Sequence, residues 1–128
     1  MNEIDVYIPK HMTETEQRSI LEFVEKLRIC LGQHLLAVVL FGSRARKQAE
    51  PTADMDLMVV LTEVDADVRE TVRHLAADVW LENGIFLSTR VWNLEHWLFL
   101  KSLQTGLYKN ICHDGIALFS LLDEPVLA

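Results

Sequence analysis

An α/β (α+β) domain with a mixed central β-sheet flanked by helices is the fold class the sequence predicts, on three observations. Two apolar runs of strand length, Leu35–Phe41 and residues 57–61, are rich in Val and Leu, as strands covered on both faces are. Stripes at helical spacing lie on either side of them: Ile20, Val24, Leu27 and Leu31 before, Val68, Val72, Leu75 and Val79 after. Strand and helix alternate, with a whole helix between the second and third strands, which requires a layered sandwich with a mixed sheet. This pattern alone leaves the strand order open.

Each element has a local reason. Residues 1–12 alternate Ile4, Val6 and Ile8 before Pro9 and read as a short extended arm. Thr13 and Glu16 have capping-box spacing at the start of the first helix, which Gly32 ends. Asp65 or Asp67 caps the second helix, and Asn83-Gly84 stops it. A third strand is expected over residues 85–92. Asn93 then caps a helix running to Gln104, a shorter helix covers residues 107–113, and Gly115 leads into a terminal extended segment at 116–119.

The 128 residues make one domain, and a chain of this size buries about two-thirds of its unfolded surface without staples. Two cysteines, Cys30 and Cys112, are too few and too distant for a disulfide scaffold or a zinc site, so both read as small reduced core residues. The five histidines show no ligand spacing. A net charge of −7, with basic residues concentrated only in the 44–47 segment, argues against direct nucleic-acid binding and favours a basic protein partner. No run approaches membrane-spanning length and no signal-peptide core is present, so a cytoplasmic protein without membrane contact is expected.

The chemistry concentrates where the first strand ends. Gly42 follows Phe41 without a Cβ to obstruct a phosphate, and Ser43 supplies a hydroxyl and a backbone N–H at the start of a predicted short helix. Arg44 and Arg46 add permanently charged donors suited to a triphosphate. Ten residues after Ser43 come Asp54 and Asp56, which on a strand leave the same face about 7 Å apart. Hard carboxylates with room for water and phosphate oxygens suit Mg2+. Taken singly, Gly-Ser after a strand is a common turn and D-x-D a common solvated pair. Together they indicate nucleotide and metal binding.

Gly42-Ser43, ten intervening residues and Asp54-x-Asp56 resemble the motif of the nucleotidyltransferase superfamily related to DNA polymerase beta, in its minimal nucleotidyltransferase branch. The resemblance spans roughly residues 21–121 and is sharp over 35–61. It implies the nucleotidyltransferase fold, Mg2+ held by Asp54 and Asp56 as the catalytic and metal pair, and ATP as substrate bound by Gly42, Ser43, Arg44 and Arg46. Members of this branch commonly act as antitoxins to a HEPN ribonuclease toxin, some by transferring AMP to one of its tyrosines. The partner implied is therefore a HEPN-type toxin in a hetero-oligomer, with a homodimer as the alternative.

Two positions depart from the family. Lys47 stands where many relatives have glycine, and the predicted third strand carries no acid where the superfamily places a third carboxylate. Rough alignment puts Phe86 at that position, with Glu95 beyond the strand as a helix-start residue, so slow turnover is expected. Phe86, Ser88 and Arg90 share a strand face, and Arg90 can reach phosphate if that face also carries the acidic pair. The cluster Trp92, Trp97, Leu98, Phe99 and Leu100 exceeds what a small core needs, and any exposed remainder marks a protein interface. Three readings follow: an AMP-transferring antitoxin, a fold-retaining antitoxin that neutralises by contact, and a small-molecule nucleotidyltransferase of the antibiotic-modifying type. A short chain without an acceptor domain disfavours the last.

Overall fold

The computed structural model describes residues 6–42, 45 and 54–122. Helix α1 (Glu14–Leu31) starts where Thr13 and Glu16 close the predicted capping box. The Thr13 hydroxyl accepts from the Glu16 N–H at 3.1 Å, and the Glu16 carboxylate accepts from the Thr13 N–H at 2.8 Å. A 3-10 turn at Gly32–His34 leads to strand β1 (Leu35–Phe41). Strand β2 (Met55–Leu61) begins two residues before its apolar run, so Asp56 lies inside the strand and Asp54 just before it. Helix α2 (Ala66–Asn83) is capped by Asp65, whose carboxylate accepts from the Val68 N–H at 2.8 Å, and stops at Gly84 with φ 74°.

Strand β3 (Leu87–Asn93) starts two residues later than the sequence pattern indicates. Its last residue, Asn93, also caps helix α3 (Leu94–Leu103), so strand and helix meet without a loop. Helix α4 (Gly106–Asp114) and strand β4 (Ile116–Ser120) complete the described chain. The sheet order is β3-β2-β1-β4. β1 pairs antiparallel with both β2 and β4, while the crossover through α2 makes β3 parallel to β2. The sheet is therefore mixed, as the alternation predicts.

Side-chain alternation then divides the core into two layers. Val38, Leu40, Leu57, Val59, Leu87 and Val91 pack with α1 and α2, burying Phe23, Leu27, Val72 and Val79. On the other face Val39, Phe41, Met58 and Val60 pack with Trp97 of α3 and with Tyr108 and Ile111 of α4. Both central strands are thus covered on two sides, which is why their sequences are almost continuously apolar. Of the N-terminal arm, Tyr7 donates its N–H to the Leu118 carbonyl at 2.8 Å, and Val6 and Ile8 pack on the core. The arm covers part of the β4 edge.

The cysteines correct one expectation. Both are free, but Cys30 is exposed, because the buried stripe of α1 runs through Ile20, Phe23, Val24 and Leu27 and leaves position 30 outside it. Among the described residues no helix is long and apolar enough to cross a membrane.

Candidate active site

Pairing of β1 with β2 sets Phe41 opposite Asp56, so the chain leaves β1 beside the acidic pair. Gly42 has φ 78°, a left-handed conformation that L side chains avoid. A Cβ at this position would also stand 2.5 Å from Asp56 Oδ2. Glycine is therefore required twice, once by the turn and once by the carboxylate. Both reasons differ from the one its place in the motif suggests, the approach of a phosphate.

Asp56 is partly buried, Asp54 exposed. Asp56 alternates with Met58 and Val60 and so belongs to the sheet face of α3 and α4, at the end where the apolar covering stops. Burial holds its carboxyl above the usual aspartate range; the charge of Arg90 opposes that shift, and Asp54 adds to it by repulsion. Two carboxylates that repel each other at one strand end form a site that a divalent cation would relieve. They fit Mg2+, which takes one or two protein carboxylates and completes its shell with water and phosphate oxygens. Ser43, Arg44, Arg46 and Lys47 lie outside the described residues, as does the predicted short helix.

The third strand revises the alignment of the missing acid. Its register sets Ser88 opposite Asp56 and Arg90 opposite Met58. Phe86 precedes the strand, and its ring meets Trp80 of α2 edge-on at 5.3 Å. Ser88, rather than Phe86, is the β3 residue facing Asp56. Arg90 shares the Asp56 face, which is the condition for a role at phosphate. Glu95 is exposed in the first turn of α3, which Asn93 caps by accepting from the His96 N–H at 2.7 Å. Among the described residues, no group of three His, Cys, Asp or Glu side chains is placed to hold a metal.

Two other features lie away from this end. A groove of about 780 Å3 between the end of α1 and β4 is lined by Arg28, Ile29, Phe119 and Leu121 among others, and by none of the predicted site residues. On α3, Trp97 is fully buried against Tyr108, whereas Leu98, Phe99 and Leu103 are exposed.

Comparison with known proteins agrees with this fold. Residues 25–123 match the family model described as polymerase beta, nucleotidyltransferase. An inferred protein adenylyltransferase of Methanocaldococcus jannaschii is 29% identical over 104 residues, covering 81% of this chain and 98% of that protein. Among solved structures, a toxin-antitoxin with AMP-PNP superposes with a TM-score of 0.53 at 20% identity, covering 82% of this chain and 77% of the other. A MntA-HepT toxin-antitoxin gives 0.52 at 19% identity, covering 87% and 78%. Spectinomycin adenyltransferase AAD(9) of Enterococcus faecialis, with ATP and spectinomycin, gives 0.60 at 14% identity, covering 83% of this chain and 56% of that one. At these identities the structural likeness is one of fold.

Proposed function

This chain belongs to the polymerase beta nucleotidyltransferase family, and from that premise we propose that it transfers AMP from ATP to a hydroxyl, a tyrosine side chain, of a partner HEPN ribonuclease toxin and so acts as its antitoxin. The observation that carries the reading is the convergence of Gly42, Asp54 and Asp56 at one end of β1 and β2, with the glycine making room for the carboxylate. The M. jannaschii relative and the AMP-PNP complex support AMP as the transferred group, and the toxin-antitoxin structures support the class of partner.

Each residue then has a defined task. Asp54 and Asp56 would hold Mg2+, while Gly42, Ser43, Arg44 and Arg46 take the phosphates. A bound Mg2+ would neutralise charge on the triphosphate and on the departing pyrophosphate. The acceptor hydroxyl forms a bond to the α-phosphorus as the bond from that phosphorus to the bridging oxygen breaks, and pyrophosphate carries the electron pair away. The proton leaves the acceptor to solvent, since β3 offers no carboxylate beside Asp56. General-base assistance is typically worth about 10²- to 10⁴-fold, so transfer is slow, which suffices where each toxin molecule need be modified only once.

The exposed Leu98, Phe99 and Leu103 support a docking face for the partner on α3. They equally support neutralisation by contact alone. Intact mass of the reconstituted HEPN partner, with and without ATP and Mg2+, separates the two. Addition of AMP to the partner is the expected result. Stable binding with unchanged mass would leave the contact mechanism, and absence of both would refute the antitoxin reading.

A further inference from the structure

The sheet face that carries Asp56 also carries a cation on the neighbouring strand, two residues beyond the serine that stands opposite Asp56. β3 runs parallel to β2 with Asp56 opposite Ser88, and alternation brings Arg90 to the same face one step further along. Strand spacing and rise put these two backbones roughly 8 Å apart on the diagonal, a gap that an arginine side chain spans. Arg90 is exposed on β3, an edge strand of the sheet, so solvent reaches its side chain. Its positive charge acts on the Asp56 carboxylate, opposing the shift that burial causes, and a guanidinium carries five N–H donors with which to meet an acceptor.

The charge inventory follows from these positions. Two carboxylates and one guanidinium give the described floor of the site a formal charge near −1, against about −3 for three carboxylates. Two divalent ions about 4 Å apart repel strongly and need shared carboxylates between them. No such third ligand stands among the described residues. An arginine fork is instead matched to phosphate oxygens, which it binds through two parallel N–H donors.

Resting on the nucleotide site proposed above, we propose that Arg90 is a nucleotide-binding residue that takes a phosphate oxygen of ATP in place of a second metal ion, so that this site works with a single divalent cation held by Asp54 and Asp56.

The test uses the whole chain with AMP-PNP as nucleotide and Mn2+ as a countable metal. Titration calorimetry measures AMP-PNP affinity in Mg2+ and in EDTA, and electron paramagnetic resonance counts bound Mn2+ in the nucleotide complex. The expected wild-type count is one Mn2+ per chain. Arg90→Gln should weaken AMP-PNP by about 10- to 100-fold both with and without metal, because a charge-assisted hydrogen bond is lost. Arg90→Lys should recover part of that loss. The Asp54→Asn, Asp56→Asn double variant should lose affinity in Mg2+ alone and keep or improve it in EDTA, where its carboxylates only repel phosphate.

Two Mn2+ per wild-type complex would overturn the proposal. So would unchanged affinity in Arg90→Gln, or a loss confined to the metal-containing titration, which would make Arg90 a support for Asp56 alone. A wild-type chain that binds AMP-PNP in neither condition would remove the nucleotide site itself, a failure distinct from these.

Discussion

Replacing Gly42 with alanine tests the joint placement of the turn and the acidic pair. The new Cβ would lie 2.5 Å from Asp56 Oδ2, about 0.9 Å inside the 3.4 Å at which ordinary contact begins. The carboxylate is the end of a short side chain and can rotate away, so the fold should survive. A left-handed backbone at a residue with a Cβ costs about 1–2 kcal/mol, and urea denaturation should register a loss of that order. The larger effect falls on the site. Asp56 must leave the position from which it meets a metal, and disturbing the support of a metal ligand typically costs about 10- to 100-fold in metal affinity. Metal-dependent AMP-PNP binding, read as the difference between calorimetric titrations in Mg2+ and EDTA, should fall by that factor. In an Asp56→Asn background the same substitution should remove little more binding, because both changes act through one carboxylate. Wild-type affinity in Gly42→Ala, or losses that simply add in the double variant, would refute the placement.

Three further outcomes are expected. Asp56 has its carboxyl raised chiefly by burial, so the folded state keeps that proton to higher pH than the unfolded chain does. Its contribution to stability is fully present below the unfolded value near 3.8 and is lost as pH rises through the folded value. Asp56→Asn should therefore gain stability relative to wild type across that window, and urea denaturation over a pH series would show the opposite trend if the shift had the other sign. Ser88→Asp should accelerate AMP transfer, by up to about 10²-fold, because register places it opposite Asp56, whereas Phe86→Asp should not; a labelled-ATP assay giving the reverse order would restore the simple alignment. Phe99→Asp with Leu103→Asp on the exposed side of α3 should weaken the complex with the HEPN partner while AMP-PNP affinity stays constant, and pull-down and calorimetry on the same variant check both halves.

Local chemistry makes much of this protein legible in its sequence. Thr13 and Asn93 cap their helices as predicted, and Asp65 is the one of the two predicted candidates that caps the second, because each cap depends on a side chain and a backbone N–H three residues apart. Leu35–Phe41 emerges at its predicted bounds, since a strand covered on both faces leaves a continuous apolar run. The Gly42 and Asp54-x-Asp56 signals belong to the same class, being short motifs on recognisable strand ends. Register and exposure are not legible in this way, because they depend on residues distant in the chain. Nothing near Ser88 indicates that it faces Asp56, or that Phe86 leaves the strand to meet Trp80 across the sheet edge. Cys30 is of a residue type common in cores, yet the buried stripe of α1 leaves it outside. Gly42 shows the division within one residue: its sequence position implies a tight turn, but only the pairing of β1 with β2 brings the Asp56 carboxylate into the space that a Cβ would fill.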